Sequence, residues 1–343
     1  MYGKWEESFM KLDAFREELL IRNEGSIVEI DFDIAGDKKR FKRFFICLAA
    51  CSEGFLGGCC PYISLDACHL KGKFTGVLVV ATDGLVISSD MEKGLEVAAM
   101  HISPNAEHRE CVRNLYSNFK KQFRGEFFKK LWCAAKTYRP TKHDKLLKDI
   151  ADIWSRSKFE TPSKCDYITN NISESFNSWI GATHYKHVLD LLDAIREKLM
   201  KRFDKKRMLL KRWNGVFVPN AMIRLNDISK NLGEYEVCGS GDNQVGVKFN
   251  GMRLEVNQDT RKFGCRVWQV TGFPFVHSAA FIAFTRDVIW AQYVDQYFSI
   301  QKFKEAYAFK IALMPGKDHW IKKDGEKIYP PLMKRPPGRP KKI

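Results

Sequence analysis

Residues 62–90 read YISLDACHLKGKFTGVLVVATDGLVISSD, and this stretch contains three short apolar runs separated by polar, glycine-containing segments. The runs are Tyr62–Asp66, Gly76–Ala81 and Leu85–Asp90, and β-branched residues of the kind that favour strands are frequent in them. Two of the three runs end in an aspartate, Asp66 or Asp90. The stretch therefore predicts neighbouring strands of one sheet with two carboxylates at strand ends.

Helical periodicity follows this predicted sheet. From Asn105 to about Ser157, and again over Asp190–Trp213, apolar residues recur at spacings of three and four. Alternation of apolar and polar residues predicts strands before the sheet, at Ser26–Asp33, and a hairpin after the helices, at Tyr235–Val256. The order of elements predicts an α+β fold with a helical insertion.

Size and composition exclude some classes of protein. The chain has 343 residues, of which 45% are hydrophobic, so it can bury a sizeable core. It has no apolar run near the roughly 18 to 20 residues of a membrane span, and its charged start lacks the apolar region of a signal peptide. Its ten cysteines are scattered, so we expect most of them to be reduced thiols. We expect no membrane association.

The net charge of +16 is concentrated in two stretches. Arg196–Arg212 has nine basic and two acidic residues, and Ile321–Ile343 has eight basic and two acidic residues. A clustered positive field attracts the phosphate backbone of nucleic acids, which makes DNA the leading partner. The alternative is a solvated helix face and a solubilising tail.

Three carboxylates are candidates for metal chemistry. Asp66 and Asp90 end predicted strands, and Glu174 lies in Asn170-Asn-Ile-Ser-Glu-Ser-Phe-Asn177 at the start of a predicted helix. Such a triad can hold two Mg²⁺ or Mn²⁺ ions about 3.5 to 4 Å apart for phosphodiester chemistry. The alternative is structural, because acids commonly end strands and cap helices.

Several motifs in the same order resemble plant Mutator-like element (MuDR-type) transposases, from about Gly25 to the last residue. They are the stretches 41–47 (FKRFFIC), 54–72 (GFLGGCCPYISLDACHLKG), 89–95 (SDMEKGL) and 169–177 (TNNISESFN), and the Pro-rich basic tail. The resemblance implies a ribonuclease-H-like core whose DDE triad corresponds to Asp66, Asp90 and Glu174. It also implies DNA as the partner and the nucleus as the location.

The chain departs from this family within the core. A strand and a helix of the family are missing between Ala81 and Leu85, a unit of roughly 30 residues. The family's Cys…His pair reads Cys111-Val-Arg-Asn114 here, so Cys111 is expected to be a packed thiol beside a surface His108. We therefore expect a truncated core in which the three acids are vestigial, and Mg²⁺ or Mn²⁺ is expected only if the site is active.

A second departure lies in the segment that resembles the family's SWIM-type zinc finger. Cys265 and His277 match two of its four ligands, but Phe263 and Phe275 stand where two cysteines belong. Because Phe supplies no ligand, we expect the two Phe side chains to fill the former metal site as an apolar plug, and we expect no zinc. The alternative is a distorted zinc site completed from elsewhere, for example by Cys238 and His319.

The basic tail resembles an AT-hook, in which Gly-Arg-Pro lies in the minor groove of A/T-rich duplex DNA. The candidate DNA-binding residues are Lys334, Arg335, Gly338, Arg339, Pro340, Lys341 and Lys342. The same residues could serve as a nuclear localisation signal.

These interpretations divide the chain into five segments: 1–61 as an α/β lead-in, 62–213 as the truncated core with its helical insertion, 235–285 as a degenerate SWIM-like β unit, 286–328 as a helical segment and 329–343 as a disordered basic tail. The leading hypothesis is a transposase-derived DNA-binding protein without catalytic activity. The alternatives are an active DDE transposase that uses Mg²⁺ or Mn²⁺, and a protein-interaction module or pseudogene product.

Overall fold

The computed structural model describes the residues that form the folded core, in several ranges. These ranges are 3–70, 77–80, 86–89, 97, 101, 103–122, 127–147, 154–230, 232–239, 244–257, 262–286, 289–320 and 327–332. The predicted catalytic residue Asp90 and the predicted DNA-binding tail residues lie outside them.

Helices and strands both contribute to the core, which confirms the α+β class. The helices are α1 Gly3–Met10, α2 Leu12–Arg22, α3 Ala49–Gly58, α4 Val112–Gln122, α5 Phe127–Lys136, α6 Pro140–Leu146, α7 Asn171–Ile180, α8 Val188–Leu210, α9 Pro219–Ser229, α10 Val267–Thr271, α11 Val276–Phe284 and α12 Ile300–Ala306. The strands are β1 Ile27–Ala35, β2 Lys38–Cys47, β3 Tyr62–His69, β4 Val77–Val80, β5 Val86–Ser89, β6 Glu107–Glu110, β7 Glu236–Gly239, β8 Gln244–Phe249, β9 Met252–Asn257, β10 Lys262–Phe263 and β11 Ile328–Tyr329.

The stretch quoted first forms the centre of a four-stranded sheet in the order β4-β3-β5-β6. Strand β4 is antiparallel to β3, whereas β5 and β6 run parallel to it. Strands β4 and β5 therefore lie on opposite sides of β3.

Strand β6 was not expected, because residues 105–157 were predicted to be helical throughout. Its sequence, Glu-His-Arg-Glu, has no apolar residue and gives no strand signal. It lies at the edge of the sheet, and its buried Arg109 is neutralised by Glu107 at 2.8 Å. Pairing of buried polar groups, rather than burial of apolar side chains, therefore stabilises this strand.

A second core joins segments from the two ends of the chain. Leu12 and Phe15 of α2 are fully buried with Leu189 of α8, and Trp320 and Ile328 complete the same cluster. Strand β11 pairs with β2 and contains Tyr329, where the disordered tail was predicted to begin. The ordered chain therefore extends beyond that boundary, because Tyr329 pairs with Arg40 in the sheet and the carbonyl of Pro330 accepts a hydrogen bond from Arg40.

Two glycines allow helices α3 and α12 to approach closely. A Cβ atom on Gly54 would lie 2.2 Å from the carbonyl oxygen of Ala306, and one on Gly58 would lie 2.1 Å from the carbonyl oxygen of Lys302. Both glycines are buried. The motif at 54–60 therefore serves helix packing, since no side chain fits at either position.

The predicted hairpin is present and is extended by further strands. Strands β7 and β8 are antiparallel, and with β9 and β10 they form a sheet in the order β10-β9-β8-β7. Its buried face, which includes Val247 and Val256, packs with Trp268 and Phe281 from the helices that follow. None of the described helices is both long and apolar enough to span a membrane.

Candidate functional site

The first predicted catalytic position, Asp66, lies on the central strand β3. Its neighbour Leu65 is paired in parallel with Ser89, the residue that precedes Asp90 in the sequence. The parallel register therefore aligns the strand positions just before the two aspartates, although Asp90 itself lies outside the described residues. Asp66 is half-buried.

Three polar side chains of helix α7 and the residue before it form hydrogen bonds with strand β3. The Asn170 amide donates to the carbonyl of Leu65 at 3.1 Å, and the Ser173 hydroxyl donates to the carbonyl of Ser64 at 2.8 Å. Further along, the Asn177 amide donates to a carboxylate oxygen of Asp66 at 2.8 Å. Spacings of three and four place these side chains on one face of the helix. The motif at 170–177 therefore sets the position of the helix relative to Asp66.

The third predicted catalytic position, Glu174, lies on the same helix one turn before Asn177. Its carboxylate forms an ion pair with Arg113 of α4, and both side chains are about half exposed. An exposed pair of this kind contributes about 1 kcal/mol or less to stability. Its effect is electrostatic, because the guanidinium group compensates the negative charge of the carboxylate.

Two of the three predicted catalytic acids, Asp66 and Glu174, are placed by the structure, and they lie on neighbouring elements. Asp66 and Glu174 lie on elements that are hydrogen-bonded to each other, and the acidic oxygens contact an amide and a guanidinium group. Within the described ranges, no group of three or more His, Cys, Asp or Glu side chains is placed to hold a metal ion. That search does not include Asp90.

Cys111 is a packed thiol, as predicted. It is fully buried, and its sulfur accepts a hydrogen bond from the backbone N–H of Asn170 at 3.3 Å. This contact holds the start of α7 against α4. His108 was predicted to be a surface residue, but it lies half-buried in strand β6. The reason is the unexpected strand, which carries His108 into the sheet beside Ile87.

The two phenylalanines of the predicted apolar plug differ in how far they are buried. Phe263 is buried against Trp268, with ring centroids 4.6 Å apart, and Cys265 is buried beside it. Phe275, by contrast, is 37% exposed. It lies just before α11, where its backbone N–H and carbonyl both bond the Ser278 hydroxyl at 2.7 Å. Phe275 thus lies nearer the surface than Phe263, with its ring next to that of His277.

His277 is buried within a group of aromatic rings. Its ring centroid lies 5.6 Å from that of Tyr235, 6.5 Å from that of Phe249 and 5.5 Å from that of Phe275. Burial, together with the positive charge of Arg139, lowers the pKa of the imidazole below its ordinary value. Such an environment favours a neutral histidine.

The additional ligands considered for a distorted zinc site lie in different parts of the fold. Cys238 is exposed on the edge strand β7. His319 lies in a short 3-10 helix next to Trp320, which belongs to the core formed by the chain ends. Neither residue joins Cys265 and His277 in a ligand group among the described residues.

The cations of α8 divide into two kinds. Arg196, Lys198 and Arg207 serve the fold, since each donates to backbone carbonyls of neighbouring segments at 2.9 to 3.0 Å. The others lie in the second half of the helix and just after it, where Arg202 packs over the ring of Trp179 and Lys206 over the ring of Phe303. The exposed cations are Lys201, Arg202, Lys205, Lys211 and Arg212.

Two features of this site were missed from the sequence. One could have been found from the sequence, namely the anchoring role of Asn170, Ser173 and Asn177. These polar residues recur at helical spacing, so they are expected to share one face of the helix. The pairing of Arg113 with Glu174 had no local signal, because the two residues are 61 positions apart.

Comparison of the chain with protein-family models, with curated proteins and with solved structures gives no match.

Proposed function

We propose that this chain is a DNA-binding protein derived from a Mutator-like transposase, that it acts in the nucleus and that it lacks strand-transfer activity. The observation that carries the proposal is the group of exposed cations at the end of α8, namely Lys201, Arg202, Lys205, Lys211 and Arg212. Only Lys201 of these has an acidic partner in the ion pairs between described residues, Glu197. Exposed cations that mostly lack an acidic partner among the described residues favour contact with phosphates.

The sheet supports the proposed ancestry. A ribonuclease-H-like core without the strand and helix that follow β4 would have an antiparallel strand on one side of β3 and parallel strands on the other. The order β4-β3-β5-β6 has this arrangement. The likeness concerns topology, and the family assignment remains a proposal.

Loss of catalysis is supported by the surroundings of the acids. The missing segment would normally cover and brace the sheet near the second aspartate, and a catalytic constellation needs such support to hold its geometry. In addition, Arg113 neutralises Glu174. A metal ion at this carboxylate would compete with the guanidinium group for the same negative charge.

The test measures binding of the full-length protein to a fluorescent A/T-rich duplex by anisotropy at several salt concentrations. The triple variant Lys205→Ala, Lys211→Ala, Arg212→Ala removes three exposed cations near the end of α8. If all three meet phosphates, the slope of log K against log salt falls by roughly 2 to 3. The matched control, Lys11→Ala, Lys142→Ala, Lys230→Ala, removes the same charge from exposed positions elsewhere.

Equal weakening by both triple variants would show that net charge, rather than this surface, determines binding. Absence of duplex binding by the unaltered protein would refute the proposal. The tail is tested separately with Arg335→Ala, Arg339→Ala. We expect this variant to weaken binding to A/T-rich duplex more than binding to G/C-rich duplex, because a narrow minor groove favours arginine.

An active DDE transposase is the second candidate, and the hydrogen bond between Asn177 and Asp66 favours it. This bond keeps the helix that carries Glu174 against the strand that carries Asp66. An active enzyme would nick duplex DNA with Mn²⁺ and lose that activity in both Asp66→Ala and Asp90→Ala. Nicking that survives both substitutions would identify a contaminating nuclease.

A further inference from the structure

Two cysteine side chains pack together next to the start of strand β3 in the central sheet. Cys60 lies between the end of α3 and the start of β3, and Cys165 lies in the segment that leads into α7. Cys60 packs against the small cluster that contains Cys165, and the two thiols influence each other electrostatically. They pack together with Tyr62 and Val86 in a small apolar cluster. Both are free thiols.

The two sulfurs differ in access and in charge. Cys60 is partly exposed, whereas Cys165 is buried. The hydrogen bond from Cys165 lowers the pKa of Cys60, and the buried guanidinium group of Arg109 acts in the same direction, against the effects of burial and of Asp295. Burial and the contact with Cys60 raise the pKa of Cys165. A partly exposed sulfur beside a buried thiol is the arrangement of an attacking and a resolving cysteine.

We propose that Cys60 and Cys165 form a reversible intramolecular disulfide when the protein meets a hydroperoxide. The Cys60 thiolate attacks one peroxide oxygen, the O–O bond breaks, and Cys60 becomes a sulfenic acid while hydroxide leaves. The Cys165 sulfur then attacks the Cys60 sulfur, and its proton and the sulfenic hydroxyl leave as water. In total, two thiols are oxidised and one hydrogen peroxide is reduced to two water molecules. A dithiol reductant reverses the reaction.

The bond would join two elements of the candidate site. Cys60 precedes the strand with Asp66 by a few residues, and Cys165 precedes the helix with Glu174. The cross-link therefore fixes the start of β3 to the segment that leads into α7, and it closes the long loop between residues 60 and 165. Closure of a loop this long restricts the unfolded chain, so the oxidised protein should unfold at a temperature higher by roughly 5 °C. This inference does not depend on DNA binding.

The neighbouring Cys59 provides a matched control. The residue as a whole is exposed, but neighbouring atoms surround its sulfur, and this burial together with the charge of Cys60 raises its pKa to about 11. It should therefore react slowly with peroxide, although it is adjacent to Cys60 in the sequence. Comparison of Cys59→Ser with Cys60→Ser separates the proposed pair from general oxidation of this region.

The experiment treats the full-length protein with hydrogen peroxide, blocks the remaining thiols and digests with trypsin without reductant. We expect peptide 44–71 joined to peptide 165–186, in the unaltered protein and in Cys59→Ser, with loss of about tenfold or more in Cys60→Ser and in Cys165→Ser. Absence of the joined peptide in the unaltered protein would overturn the proposal, as would its persistence in Cys60→Ser.

A second measurement covers the case in which a serine variant does not fold. In the unaltered, reduced protein, limited alkylation at neutral pH should modify Cys60 before Cys59, as read by fragmentation of peptide 44–71. Equal or faster modification of Cys59 would contradict the proposed role of Cys60. A disulfide-linked dimer on a non-reducing gel, without the disulfide between Cys60 and Cys165, would also refute the proposal.

Discussion

Replacement of Gly58 by alanine should destabilise the protein, although alanine is the better helix former. The new Cβ atom would lie 2.1 Å from the carbonyl oxygen of Lys302, 2.3 Å from the backbone nitrogen of Ala306 and 2.6 Å from its Cβ atom. Two of these three atoms belong to the backbone of α12, so rotation of a side chain cannot relieve the overlap. Helices α3 and α12 would have to move apart.

The size of the effect follows from two opposing terms. Overpacking of a close contact costs about 1 to 3 kcal/mol, and a clash with rigid backbone belongs at the upper end. Against this, replacement of glycine by alanine in a helix gains up to about 1 kcal/mol. We therefore expect Gly58→Ala to lower the free energy of unfolding by about 2 kcal/mol, which for a chain of 343 residues corresponds to a decrease in melting temperature of roughly 3 °C.

The adjacent Gly57 is the control for this experiment. A Cβ atom there would lie 3.5 Å from the side chain of Glu305, an ordinary contact. Gly57→Ala should therefore leave stability unchanged or raise it by up to about 1 kcal/mol. Urea denaturation followed by tryptophan fluorescence compares the two variants. If Gly58→Ala is as stable as Gly57→Ala, the close approach of α3 and α12 is refuted.

Three further predictions concern the candidate site and the SWIM-like segment. Asn177→Ala removes a hydrogen bond to the charged Asp66, so we expect a loss of about 1.5 to 3 kcal/mol in urea denaturation, and an unchanged midpoint would refute the anchoring role. Phe263→Ala should lower the free energy of unfolding by about 3 to 5 kcal/mol, because its ring is buried. Phe275→Ala should lower it by less than about 1 kcal/mol, because its ring is partly exposed. Equal losses would contradict the observed placement. Because the pKa of His277 is lowered in the folded protein, the unfolded chain binds its proton first. The stabilising contribution of neutral His277 is therefore complete above the ordinary pKa of about 6.5, and it is lost as the pH falls below that value. His277→Leu should remove this part of the pH dependence of the melting temperature.

The strands of the central sheet and the hairpin at β7 and β8 were predicted from the sequence because their signals are local. Short β-branched runs beside glycine and alternation of apolar residues are visible within a few positions. Strand β6 escaped prediction, since Arg109 is buried by means of polar partners, Glu107 and Ser163, that hydropathy does not reveal. Phe275 was expected to fill a former metal site because it stands at a cysteine position of the SWIM-type pattern, and its contact with His277 depends on the tertiary fold.

The sequence by itself determined the α+β class, the amphipathic character of α8 and the concentration of positive charge, because these properties depend on residue types within short windows. Tertiary structure decided which cations of α8 remain exposed and which, such as Arg196, bind distant carbonyls. It also decided that Arg113 meets Glu174 and that Cys60 meets Cys165. These contacts join residues far apart in the chain, so they depend on how strands and helices are placed, which no local pattern of residues specifies.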